Sequence, residues 1–133
     1  MKTKGLTLYG DQLLVSVFAQ YQGCTFKIRN ESEIINAFYE ADRTGKYENL
    51  FRNYTFDDDG VEVKSSVIEE AIDSLQQTRL LGRDNPDLKI YKIKDSVRIR
   101  YEKFIKDNLD KETEHQIKEL SSFVNNKLQF QKS

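Results

Sequence analysis

Ser65-Ser66-Val67-Ile68-Glu69-Glu70-Ala71-Ile72-Asp73-Ser74-Leu75-Gln76-Gln77-Thr78-Arg79-Leu80-Leu81-Gly82 runs through Arg83-Asp84-Asn85-Pro86-Asp87 into Leu88-Lys89-Ile90-Tyr91-Lys92-Ile93-Lys94-Asp95-Ser96-Val97-Arg98-Ile99-Arg100-Tyr101, and it carries the strongest structural signal in this chain. Ser66 and Glu69 have capping-box spacing, and Val67, Ile68, Ala71, Ile72 and Leu75 form an apolar face at helical period. The pattern leads to Leu80-Leu81 and a Gly82 stop. The next five residues contain the only proline and read as a loop. Leu88 to Ile93 is rich in strand formers, and Val97, Ile99 and Tyr101 alternate with Arg98 and Arg100. Lys94-Asp95-Ser96 then reads as the turn of a hairpin. A competing reading makes Ser96 onward one helix capped by Asp95, but Ile99 would then leave the stripe set by Val97, Tyr101 and Phe104. The hairpin is the preferred expectation.

Working outward, Asp11 precedes a stripe of Leu13, Leu14, Val17, Phe18 and Tyr21 that ends at Gly23, which predicts a first helix with Asp11 as its cap. Cys24 to Ile28 alternates briefly and fits a short strand or an extended connection. Asn30 and Glu33 have capping-box spacing before Ile34, Ile35, Ala37, Phe38 and Ala41, so a second helix is expected over about Glu31 to Asp42. Tyr47, Leu50, Phe51 and Tyr54 suit a short helix or a packed aromatic loop. Asp57-Asp58-Asp59-Gly60 is read as a solvated turn, because an EF-hand loop starting at Asp57 would need a bidentate Glu where Ile68 stands. From Glu102 to Leu128 the apolar positions Ile105, Leu109, Thr113, Ile117, Leu120, Val124 and Leu128 predict one long helix, roughly 40 Å at 1.5 Å per residue. Ile105, Leu109, Ile117, Leu120, Val124 and Leu128 pack either across the chain's own first two helices or against a second copy as a dimerisation stripe.

Length and composition bound the function classes. A chain of 133 residues with 38% hydrophobic side chains supports one domain with a core, plus an appendage. We place residues 1–101 in that domain and residues 102–133 in the C-terminal helix. Twenty-one basic against 22 acidic residues leave a net charge of −1, so any attraction to nucleic acid must be local. A single cysteine, Cys24, excludes a disulfide framework and a multi-cysteine zinc site, and suits a reducing, cytoplasmic setting. The start of the chain carries no signal core, and no segment is long and apolar enough to span a membrane. His115 is the only histidine and sits in a charged run. With no phosphate loop, nucleophile elbow or metal-spaced cluster, neither an enzyme, a cofactor nor a metal is expected.

Residues Ser66 to Tyr101, and more loosely Asp11 to Tyr101, resemble a winged helix-turn-helix domain. Val67 to Leu75 with Leu80-Leu81-Gly82 is similar to its second motif helix, and Leu88 to Tyr101 to its two-stranded wing. The resemblance implies an α+β, mainly helical fold with a small β-hairpin wing and a long C-terminal helix, as in dimeric bacterial regulators built on this fold. It also implies double-stranded DNA as a partner, contacted through Gln76, Gln77, Arg79, Arg83, Lys89, Lys92, Lys94, Arg98 and Arg100. Seven basic against two acidic side chains give residues 88–106 a net charge of +5. Seven acidic residues against Lys64 give 57–73 a net charge of −6, which opposes phosphate at the front of the recognition helix. The same asymmetry supports the alternative, a protein-interaction or assembly module that pairs such patches without binding DNA.

Overall fold

Apolar spacing places five α-helices and six short strands in the computed structural model, which describes residues 8–78, 81–83 and 89–132, with the backbone alone at 81–83 and 89. Helix α1 (Gln12–Phe18) buries Leu13, Leu14, Val15, Val17 and Phe18, almost its whole circumference, as a central core helix must. A 3₁₀ turn and Gly23, at φ +81°, lead into strand β1 (Cys24–Ile28). Helix α2 (Ser32–Arg43) starts where Asn30 and Glu33 predict it. Asn30 Oδ1 accepts from the Ser32 amide at 2.9 Å and Glu33 Oε2 from the Arg29 amide at 2.7 Å.

Between α2 and the next helix, Tyr47, Leu50, Phe51 and Tyr54 are buried in a packed aromatic loop. Strands β2 (Asp57–Asp58) and β3 (Val63–Lys64) then form a small hairpin around the expected acidic turn. Helix α3 (Ser66–Gln77) is capped one residue earlier than predicted, by Ser65, whose Oγ accepts from the Ile68 amide at 3.2 Å. Strands β4 (Leu81–Arg83) and β5 (Lys89–Ile93) follow, then helix α4 (Asp95–Phe104), a 3₁₀ turn, helix α5 (Lys111–Leu128) and strand β6 (Gln131–Lys132). The main sheet is antiparallel in the order β4-β5-β1-β6. Phe26 stands opposite Tyr91, and Phe26, Ile28, Tyr91 and Ile93 turn their side chains into the core.

Four expectations are corrected. Val97 to Tyr101 is helical, so it is not the second strand of a hairpin. Val97 and Tyr101, four residues apart, are buried while Arg98 and Ile99 face out, and Asp95 in the first turn suits the positive helix end. β5 pairs instead with Leu81–Arg83, so Gly82 lies within a strand and the helix before it ends at Gln77. The single helix from Glu102 to Leu128 is interrupted: α4 stops at Phe104, and Asp110 Oδ1 accepts from the Thr113 amide at 2.8 Å to start α5 afresh. At 18 residues α5 is about 27 Å long. Asp11 stands at the start of α1 without making a side-chain capping bond.

The expected dimerisation stripe is turned inward. Ile105, Ile117, Leu120, Val124 and Leu128 are buried in the core that α1 and α2 share, and Leu109 packs half-buried against it. Ser121 Oγ bonds the Ile117 carbonyl at 2.7 Å and also lies 3.4 Å from the Val17 carbonyl of α1. The boundary anticipated after residue 101 falls inside α4, and residues on both sides of it belong to one core. We expect Ile117→Ala and Val124→Ala each to lower unfolding stability by about 1–4 kcal/mol, with the same loss at every protein concentration. Urea unfolding over a hundredfold concentration range checks this; a loss that grows on dilution would return the stripe to an interface between copies.

Candidate functional site

Among the residues expected to meet DNA, Gln76 is already engaged by neighbouring side chains. Gln76 is an interior bridge: its Nε2 donates to Tyr91 Oη at 3.1 Å and lies 3.4 Å from Glu31 Oε2, which also accepts from Tyr91 Oη at 3.0 Å. That half-buried side chain is engaged at the junction of α2, α3 and β5. Gln77 is exposed at the end of α3, behind a surface made of Glu69, Glu70 and Asp73. Arg79 lies outside the described residues. Arg83 and Lys89 lie in β4 and β5, and their side chains are not described. Lys92 and Lys94 are exposed, Arg98 pairs with Glu102 at 2.9 Å, and Arg100 Nη2 approaches Asp11 Oδ2 at 3.8 Å.

A different surface gathers the unusual side chains. Among the described residues four large hydrophobic side chains are exposed, and three of them, Tyr9 (61%), Ile99 (55%) and Phe104 (66%), line one groove. Ser96, Ile99, Arg100, Lys103 and Phe104 form one wall, spaced three and four apart on the outer face of α4. The turn from Tyr9 to Gln12 forms the other. The groove encloses about 620 Å³, within the roughly 300–1,000 Å³ usual for binding clefts. Its charge is cationic at the α4 wall. Lys103 has no ion-pair partner among the described residues, and the Arg100 contact with Asp11 is long.

The second wall is held from behind. Gly10 takes φ +61°, and its carbonyl accepts from Tyr54 Oη at 2.9 Å, while Tyr54 Oη accepts from the Leu13 amide at 3.2 Å. Asn53 Nδ2 donates to the Leu8 carbonyl at 3.0 Å, so the aromatic loop fixes both ends of the Tyr9 turn. Asp11, the expected cap, instead joins three elements: Oδ2 accepts from Ser74 Oγ of α3 at 2.9 Å and faces Arg100 of α4. Sequence reasoning missed this site because Tyr9 has no periodic context, Ile99 reads as a strand residue, and Phe104 reads as widening the apolar stripe of the long C-terminal helix. The usable signal was Ile99 itself, which a helix over 95–104 cannot place on the face that Val97 and Tyr101 bury.

Other residues with chemical potential are spent locally. Asp59 Oδ1 accepts from the Val61 and Glu62 amides at 2.8 and 2.9 Å, and those bonds lower its pKa. His115 is exposed with Nε2 3.2 Å from Glu119, and Cys24 is buried. Among the described residues no group of three or more His, Cys, Asp or Glu is placed to hold a metal, and no helix is long and apolar enough to cross a membrane. Compared with known proteins, the chain matches no family model, no curated protein and no solved structure.

The tyrosines behind the groove make its frame sensitive to alkali. Burial pushes the Tyr54 phenol well above its ordinary value, although the Leu13 amide acts the other way; burial and then the Glu114 carboxylate push Tyr101 up to about 12. An unfolded tyrosine ionises near pH 10, so the folded state holds these protons more tightly. Their contribution is complete below about pH 10 and is lost as pH rises from there toward 12. We expect the urea midpoint to fall steeply above pH 10. Tyr54→Phe should flatten part of that fall while costing about 1–3 kcal/mol at pH 7 through the stranded Gly10 carbonyl and Leu13 amide. Urea titrations of both proteins from pH 7 to 11.5 check this.

Proposed function

We propose that this protein is an assembly module on a winged-helix-type frame, acting by binding a protein segment in the groove between the Tyr9 turn and α4. The succession of α2 and α3, then the β4–β5 hairpin, then two further helices supports the frame. The observation that carries the function is the gathering of Tyr9, Ile99 and Phe104 beside Arg100 and Lys103. An exposed apolar patch costs solubility and contributes nothing to a monomer's core, so its retention beside cations favours a partner that is apolar and acidic. The exposed face of α3 argues against reading bases there. Glu69, Glu70 and Asp73 would each be desolvated against phosphate.

DNA binding is the second reading, favoured by the exposed Lys92, Lys94 and Arg98. Two measurements separate the readings. A photoreactive p-benzoylphenylalanine at position 99, irradiated in producing cells, should give covalent protein adducts that disappear with Lys103→Glu/Phe104→Ser. Fluorescence anisotropy with a random duplex should stay flat even at low salt. No adducts, together with duplex binding that weakens with salt and is lost in Lys92→Glu/Lys94→Glu/Arg98→Glu, would overturn the assembly reading in favour of DNA.

A further inference from the structure

We infer that the groove receives the β2–β3 hairpin of a second copy of this chain, with Val61 entering between Ile99 and Phe104 while Asp59 and Glu62 meet Lys103 and Arg100. The inference rests on the assembly reading and names its partner. Its first support is the fourth exposed hydrophobic. Of the four exposed large hydrophobics among the described residues, three line the groove; the remaining one is Val61, at the hairpin tip, 91% exposed. The exposed side chain and the hollow thus sit on the same molecule, on separate elements, residues 57–64 and residues 9–12 with 96–105.

Charge agrees with shape. Val61 stands between Asp59 and Glu62, with Asp57 and Asp58 behind, whereas the groove's α4 wall offers Arg100 and Lys103, the latter without an ion-pair partner among the described residues. A carboxylate beside an apolar side chain is the chemistry that a cation beside Ile99 and Phe104 would select. Glu62 is engaged by Lys64 only through an exposed contact of 3.6 Å, which is easily exchanged.

The tip is also shaped in advance. Asp58 Oδ1 accepts from the Gly60 amide at 2.9 Å, and Asp59 Oδ1 holds the next two amides, so the turn keeps its form without a partner. Its base is anchored on α2, where Tyr39 Oη donates to Asp58 Oδ2 at 3.0 Å and the Tyr39 ring lies 5.4 Å from that of Phe56. A knob held this way loses little conformational freedom on docking. Because tip and groove are different surfaces, the contact is head-to-tail, and each copy keeps one free tip and one free groove for further addition. A contact this small is weak, with a dissociation constant on the order of 10–100 μM.

Sedimentation equilibrium of the purified full chain tests the inference. Wild type should gain average mass with concentration at low salt and lose that gain in 0.5 M salt. Val61→Asp and Phe104→Asp, both at exposed positions, should each stay monomeric with unchanged circular dichroism. Mixed in equal amounts they should form a dimer and stop there, because the first supplies an intact groove and the second an intact tip. A wild type that is monomeric to about 1 mM overturns the inference, as does a mixture that remains monomeric. So does a Val61→Asp protein that associates like wild type, the mark of groove-to-groove pairing. If wild type is monomeric while position 99 still crosslinks to another protein in cells, the partner named here is wrong and the assembly reading stands; if the crosslinks are absent too, both fall.

Discussion

Antiparallel pairing of β1 with β5 is the constraint on which the rest depends. It joins residues 24–28 to residues 89–93 and sets Phe26 against Tyr91. The two rings lie 5.4 Å apart, and Phe26 also stacks on Phe18 of α1 at 5.7 Å. A slip of one residue would turn the inward set of one strand, Phe26 and Ile28 or Tyr91 and Ile93, out of the core, so the register is fixed by burial. The same register carries Tyr91 Oη to Glu31 and Gln76, which ties the start of α2 to the end of α3. The Gly23 amide donates to the Ile93 carbonyl at 2.8 Å, and Asp95 opens α4 two residues later. The helix that lines the groove therefore leaves the sheet at a determined point.

The groove is built from parts that serve the fold on their inner side. α4 is fastened by Val97 and Tyr101 on one face and offers Ile99, Lys103 and Phe104 on the other. The Tyr9 turn is fastened by Tyr54 and Asn53 and leaves the Tyr9 ring outside. Asp11 gives up capping α1 to stand between Ser74 and Arg100, linking both walls of the groove to α3. Rigid inner anchoring of an outward apolar face lowers the entropic cost of recognition.

Charge is sorted by position more than by amount. A near-neutral chain gathers seven of its 22 acidic residues within 57–73, around the β2–β3 hairpin and the front of α3, and seven of its 21 basic residues within 88–106, around β5 and α4. Such sorting produces attraction between unlike regions at short range with little net repulsion between copies. A nucleic-acid surface would instead need the front of α3 to be cationic or neutral. The pairing of Arg98 with Glu102 further reduces the free positive charge on α4.

Local pattern by itself determined much of the architecture: a helix after Asp11, a second close to 31–42, a third beginning near Ser66, the acidic turn and a strand within 88–93, while the aromatic stretch 47–54 stayed open between a short helix and a packed loop. Each of these rests on interactions within a few residues, on periodicity, caps and turn chemistry, so the information is local. The sequence also held both readings of the stripe at Ile117 to Leu128, and the fold turns it inward onto α1 and α2. Tertiary structure alone decided residues 81–83 and 97–101. Val97, Ile99 and Tyr101 satisfy a strand at spacing two, and Val97 with Tyr101 a helix at spacing four; the choice falls to helix because α4 packs on α1 with Val97 and Tyr101 buried, while the edge of β5 is filled by Leu81–Arg83 from earlier in the chain. The same decision exposed Ile99 and created the groove. A site made of a turn near residue 9 and a helix near residue 100 exists only through packing between distant segments, and no local window of sequence contains it.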